Sequence, residues 1–329
     1  MIVNHSHKFI FVHVPKAAGT SVSELFSKFS AYSDLEVGGT ELGEALQHAF
    51  KRRFGLTKHS TAEEIRAVVG DAAWRAYYAF AFVRDPYARA QSTFHFMKRW
   101  HGNKEMKQLA FMDEHTDFRS FVMSDTFAEQ KAHRLLWPQA RWLLDAKGEL
   151  MVDFVGRLET LDEDIHSVLS SAPGLVAAGA APEQAPAKNK SASTDAALYE
   201  LLSSDAEVEA RIYEAYQDDF EQFGYPRFDV ATTPRPTQES TPDVAPIVSR
   251  GERAGPKAGK GGKGLKADKG GAGGAGGAGG AGAAFVKPGK AGKGGGKPNK
   301  AAKGEKAGLS PAKIEKLNRM MAAEKATAK

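Results

Sequence analysis

The chain has 329 residues, enough for one large domain or two, with 42% hydrophobic residues and a formal net charge of +5. The charge is uneven: Arg250 to Lys329 holds 19 Lys+Arg against 5 Asp+Glu, which leaves 26 basic and 35 acidic residues before position 250. The absence of cysteine excludes disulfides, thiolate zinc sites and a cysteine nucleophile, and no HExxH, EF-hand or G-x-S-x-G pattern occurs.

The opening MIVNHSHKFIF has too short an apolar run for a signal peptide or a membrane span, and it belongs to the first strand. Phe9 to Val14 is almost wholly apolar and rich in aromatic and β-branched residues, as expected of a central parallel strand covered on both faces. Pro15 stops it. Gly19 lets backbone come close to a ligand, and Thr20 and Ser21 supply hydroxyls where a helix begins with unpaired N–H groups and a positive dipole end. Val22, Leu25, Phe26 and Phe29 give that helix an apolar face. The loop therefore reads as an anion cradle with Lys16 pointing at it. In a nucleotide-triphosphatase P-loop the lysine closes the loop, whereas here it comes first and no second glycine sits at the required distance.

Next in order, KHSTAEEI places His59 just ahead of a helix start, with Ser60 or Thr61 and Glu63 or Glu64 forming a capping box. The positive dipole end favours a neutral imidazole there, so His59 is the leading candidate for a general base. His13 ranks second, as a partner of the base or a buried imidazole, ahead of His95 and Glu24.

Tyr78 to Val83 is the second strand, followed by a helix with Asp85 as N-cap and Pro86 at its first position. Arg84 then projects at the carboxyl end of a strand, where open α/β sheets bind ligands. Asp85, Arg89, Ser92 and His95 or Phe96 recur at three- and four-residue spacing, a pattern that brings a guanidinium and a hydroxyl together, and arginine's planar fork suits a terminal phosphate.

Further along, Met151 to Val155 is a third strand, and Thr160 with Glu163 forms another capping box before Leu161, Ile165, Val168 and Leu169. A helical region from Thr194 to Phe223 points Leu198, Leu201, Leu202, Ile212, Tyr216, Phe220 and Phe223 into the core, and Gly224 and Pro226 end it. Trp100, Trp137 and Trp142 either pack the core or stack on sugar rings at a cleft.

Together, PKAAGTS and FVRDPYARAQSTF resemble the two cofactor-binding signatures of sulfotransferases, specifically the carbohydrate sulfotransferases that include glycosaminoglycan enzymes and their bacterial relatives. The similarity continues through LWPQARWL, DFVGRLETLDED and YQDDFEQFGYP, over roughly the first two thirds of the chain. It implies 3′-phosphoadenosine 5′-phosphosulfate as donor and no metal. Lys16, Ala18, Gly19, Thr20 and Ser21 would hold the 5′-phosphosulfate, and Arg84 and Ser92 the 3′-phosphate. The family often has asparagine where Asp85 stands and more often threonine at the Ala17 position. An Asn-x-Ser element near the cofactor is expected at Asn189 to Ser191. Many relatives also carry a histidine just upstream of the second signature, in agreement with His59.

The expected architecture is α/β: a P-loop-like three-layer fold, a central parallel sheet flanked by helices, over residues 1–226. A Thr/Pro-rich linker at 227–249 leads to a disordered Lys/Gly/Ala-rich tail at 250–308 and a short basic amphipathic helix at 309–329. The tail suits polyanions or a membrane surface, with no specific nucleic-acid target. The expected partner is a hydroxyl-bearing acceptor, a glycan by resemblance, and the expected location is the cytoplasm. Two rival classes are a magnesium-dependent small-molecule or nucleotide kinase with a variant P-loop, and a non-enzymatic protein that binds polyanions through its tail.

Overall fold

The computed structural model describes residues 1–104, 106–180, 192–233 and 235, with a short strand at Ile247–Val248. The chain divides into units 1–253 and 254–329. The second unit and the element at Asn189 to Ser191 lie outside the described residues, so the expectations for the tail and the terminal helix do too.

The N-terminal segment forms a hairpin, β1 (Ile2–Asn4) and β2 (Phe9–Val12), where a single strand is expected. After α1 (Gly19–Phe26) come β3 (Leu35–Glu36), α2 (Glu41–Phe54), α3 (Ala62–Val69) and α4 (Asp71–Ala76). Then follow β4 (Tyr78–Val83), α5 (Pro86–Trp100), α6 (Phe118–Val122), α7 (Asp125–Glu129) and α8 (Ala140–Leu143). The chain continues through β5 (Phe154–Arg157), α9 (Leu161–Ser171), α10 (Pro173–Ala177), α11 (Ala192–Ser204), α12 (Ala206–Ala215), α13 (Gln217–Phe223) and β6, at 247–248.

The sheet order is β3-β1-β2-β4-β5-β6. Only β2, β4 and β5 run parallel; β1, β3 and β6 are antiparallel neighbours, so the expected parallel sheet is confined to its centre and the whole is mixed. The segment expected as a linker supplies β6 at one edge.

Strand alternation sorts the core into two layers. Ile10, Val12, Ala81, Val83 and Val155 face one side with Ile65, Tyr87, Phe94, Trp142 and Ile212. Phe9, Phe11, Phe80, Phe82 and Phe154 face the other, with Val22, Phe26, Ile165 and Val168. Helices thus cover both faces. Leu198, Leu202, Ile212, Tyr216, Phe220 and Phe223 are buried as expected, but their region is three helices, separated at Asp205 and Tyr216.

Three local expectations shift. β2 ends at Val12 rather than Val14, because its pairing with β4 stops at Val12 opposite Ala81. β5 starts at Phe154 rather than Met151, which sets Arg157 opposite Val83. The box expected at Thr160 and Glu163 does not form: the Thr160 hydroxyl donates to Asp164 Oδ2 at 2.8 Å, and no side chain caps α9. The box at Thr61 and Glu64 does form, and Asp85 caps α5 by accepting from the Ala88 N–H, with Pro86 in the first turn. Among the described residues no helix is long and apolar enough to cross a membrane.

Candidate active site

The β2–α1 loop has an unusual backbone. Lys16 and Ala18 both hold positive φ, 65° and 57°, which L-residues with a Cβ adopt at a cost of about 1 kcal/mol or more. Left-handed residues turn successive N–H groups toward one point, the geometry of an anion-binding nest. No side chain caps α1, and its first turn carries no acid of its own. Gly19 is required here for a further reason. A Cβ on it would stand 1.9 Å from His13 Nε2, so the glycine makes room for an imidazole. Thr20 is exposed and Ser21 is buried beside it.

The second strand-to-helix turn meets this loop from the side. The backbone of Arg84 is clamped by the amide of Gln139: Arg84 N–H donates to Gln139 Oε1 at 2.9 Å, and Gln139 Nε2 donates to Arg84 O at 2.7 Å. Gln139 is fully buried and Asp219 lies behind it, accepting from the Ala140 N–H at 2.8 Å. The Arg84 side chain is half-buried, with no carboxylate in ion-pair distance among the described residues. Two turns on, Ser92 is half-buried on α5. One turn beyond Ser92 on the same face, the Phe96 ring lies 4.6 Å from Lys16 Nζ. The lysine of the first loop therefore reaches the helix that carries Ser92.

Arg89 departs from the expected face. It is fully buried, and its guanidinium donates to the carbonyls of Pro15, Leu135 and Trp137, at 3.4, 3.3 and 2.6 Å. It ties the Lys16 loop to α5 and to the 135–137 segment instead of standing with the Ser92 hydroxyl.

His59 and His13 come together, with ring centroids 4.7 Å apart edge to face. His59 Nδ1 lies 3.0 Å from the His13 carbonyl oxygen, which is free of the sheet because β2 has already ended. A carbonyl can only accept, so Nδ1 carries the proton and Nε2 of the neutral ring keeps its lone pair. Burial, and then the Lys58 charge, hold the His59 pKa well below its ordinary 6.5, so the ring is neutral. His13 is depressed likewise, by burial and by His59. Trp142 is fully buried and its indole N–H donates to the His59 carbonyl at 3.2 Å, so this tryptophan is core. Trp100 and Trp137 are half-buried, the latter with Arg134 and Arg141 over its ring at 4.6 and 3.7 Å.

Sequence reasoning missed Gln139, Asp219 and Glu159. Glu159 accepts from the Asp85 N–H at 2.8 Å and from the Tyr225 hydroxyl at 2.9 Å, bracing the start of α5. All three lie in segments that carry the resemblance, LWPQARWL, YQDDF and GRLE, and that was the available signal. The donor set at the cradle, a lysine and the start of a helix with no side-chain cap and no acid in its first turn, fits the anionic end of a phosphosulfate.

Comparison with known proteins bears on the family of the chain. Carbohydrate sulfotransferase 11 of Mus musculus is 24% identical over 249 residues, 68% of this chain and 66% of the relative, and the Rattus norvegicus protein of the same name matches equally. The chain thus spans just under two thirds of the length of these relatives. No solved structure gives a significant match. The profile of the Sulfotransferase family covers residues 1–226, and the chain belongs to that family.

Proposed function

We propose that the protein transfers a sulfuryl group from 3′-phosphoadenosine 5′-phosphosulfate to a hydroxyl of a carbohydrate. The observation that carries this reading is the meeting of the two turns: an uncapped helix start behind left-handed Lys16 and Ala18, with Lys16 reaching α5 near Ser92 and Arg84 at its head. Family membership supports the reaction class, and the names of the matched relatives support a carbohydrate acceptor. The half-buried Trp137 beside Trp142, ring centroids 5.4 Å apart, offers an aromatic surface near His59.

On this reading the N–H groups of Gly19, Thr20 and Ser21, with Lys16 and the Ala18 turn, bind the donor's 5′ end, and Arg84 and Ser92 bind its 3′-phosphate. His59 Nε2 takes the proton of the acceptor hydroxyl as the new S–O bond forms opposite the leaving oxygen. The bond from sulfur to the bridging phosphate oxygen breaks, and the Lys16 ammonium offsets the charge that grows there. The product 3′-phosphoadenosine 5′-phosphate then leaves. Positioning and charge stabilisation carry the step, with no covalent enzyme intermediate.

Calorimetry separates this from a variant-P-loop kinase. The chain should bind 3′-phosphoadenosine 5′-phosphate without magnesium, and bind it equally when truncated before Arg250, since we take 1–226 as the catalytic unit and the basic tail as a separate polycation. Binding of ATP with magnesium alone would reject the reading.

A further inference from the structure

Helix α2, fourteen residues from Glu41 to Phe54, is held to the protein mainly through Glu44, Gln47 and Phe50. Gly43 is its one buried residue, and a Cβ there would stand 2.7 Å from the Gly38 carbonyl oxygen, so close backbone approach replaces side-chain packing at its first turn. Its apolar side chains point outward instead. Leu42, Leu46, Phe50 and Phe54 follow one another at four-residue steps; Phe50 touches the core, but Leu42 is 61%, Leu46 37% and Phe54 46% exposed. Ala45 and Ala49 widen the same side and are exposed.

Charge on the helix is gathered at one end. Lys51, Arg52 and Arg53 form its exposed last turn, and no carboxylate lies in ion-pair distance of any of them among the described residues. Of the two helix acids, Glu44 is engaged by Lys58 at 2.9 Å and by the Gly39 N–H at 3.1 Å, whereas Glu41 has no such partner among the described residues. Three cations without an ion pair among the described residues, Arg53 lying 5.5 Å over the Phe54 ring, stand beside exposed leucines in a region, 1–249, with 26 basic and 35 acidic residues.

From this we infer that α2 docks onto an anionic lipid surface, its Leu42, Leu46 and Phe54 side entering the headgroup boundary while Lys51, Arg52 and Arg53 meet lipid phosphates. An amphipathic helix with a basic end binds such a surface through apolar area and charge together. A second copy of the chain fits less well. A stripe along a helix about 21 Å long falls short of the roughly 800 Å² per partner of a stable interface, and paired copies would set three cations against one free carboxylate on each side. The chain's own tail, 19 basic residues against 5 acidic, would bring like charge. Docking would also orient the site, since α2 ends at Phe54, five residues before His59. The inference is independent of which group is transferred.

With no native cysteine, single labels report the contact cleanly. The full chain carrying Leu46→Cys with an environment-sensitive fluorophore is mixed with phosphatidylcholine vesicles with or without phosphatidylglycerol, and Ser170→Cys on α9 serves as control. The label at 46 should shift to the blue and be quenched by brominated acyl chains only when phosphatidylglycerol is present, and the label at 170 should not respond. Leu42→Asp with Leu46→Asp should weaken vesicle partitioning at least about tenfold with an unchanged melting curve, because both side chains are exposed. Protein that pellets with vesicles while label 46 stays in water is docked through its tail and overturns the inference. Unchanged partitioning of the double variant overturns it too, as does a vesicle-free, concentration-dependent doubling of mass that the double variant abolishes. Should the double variant fail to fold, the two labels still decide.

Discussion

His59 combines two properties that a general base needs and that do not ordinarily coincide. Its Nδ1 proton is fixed by the His13 carbonyl, and its charge is suppressed by burial and by Lys58. An ordinary histidine base would lose half its activity at about pH 6.5. With the pKa held well below that, the rate at saturating donor should stay level through pH 6.5 as acid is added and fall only further down. A pH profile of kcat checks this: a midpoint at the ordinary histidine value contradicts it. His59→Ala should cost about 10²-fold to 10⁴-fold in kcat with little change in donor KM. Undiminished turnover removes His59 as the base. His13 and Ser23 add a detail at the same scale, for His13 Nδ1 and Ser23 Oγ are buried beside Gly39 with no hydrogen-bond partner among the described residues. The tautomer of His59 could not be read from KHST, because its hydrogen-bond partner is a backbone carbonyl 46 residues earlier.

At the scale of elements, α5 is the member on which the site depends. Its start is fixed by Asp85, Glu159 and the Gln139 clamp, and its middle by Arg89 bonding across to three carbonyls. Asp85 contributes at a cost. Burial first, and then Glu159, push its carboxyl up to about 7 from 3.8. Between those values the folded chain keeps a proton that the unfolded chain has released, so this group's contribution to stability declines as pH rises through that window and levels off above it. Asp85→Asn keeps a capping oxygen and cannot ionise. Its unfolding free energy relative to the parent should therefore climb between pH 4 and 7, by at most about 1.4 kcal/mol per pH unit, as denaturant titrations can measure. A difference that is flat with pH contradicts the account.

Elements with strong local signals were legible in the residues. Tyr78–Val83 is an unbroken apolar run ended by an Asp-Pro helix start, and Thr61 with Glu64 closes a box within four residues. The hairpin partner β1, the two-residue strands β3 and β6, and the start of β5 were not, since their pairing depends on residues far away in the chain. Arg89 misled for a related reason. Helical spacing sets the angle of a side chain around its own axis and says nothing of what covers that angle, and here Pro15, Leu135 and Trp137 cover it.

For the whole molecule, the residues alone suggest Lys16, Ala18, Gly19, Thr20 and Ser21 as an anion cradle with Arg84 and Ser92 as a second half, and the proposed function rests on that assignment. What the sequence could not supply is the join: the 4.6 Å approach of Lys16 to Phe96, the Arg89 bond to Pro15, and the buried Gln139 and Asp219 that hold Arg84 in place. Those depend on packing both turns at the carboxyl ends of neighbouring parallel strands, β2 and β4. The most direct test is transfer of radiolabelled sulfate from 3′-phosphoadenosine 5′-phosphosulfate to a panel of glycans, lipids and phenols, by the parent chain and by Lys16→Ala. The account predicts labelled carbohydrate product from the parent, and a loss of about 10²-fold or more in the turnover of Lys16→Ala, larger than its loss of donor binding. A Lys16→Ala protein with near-normal turnover, or a parent that binds donor and labels no hydroxyl in the panel, would contradict it.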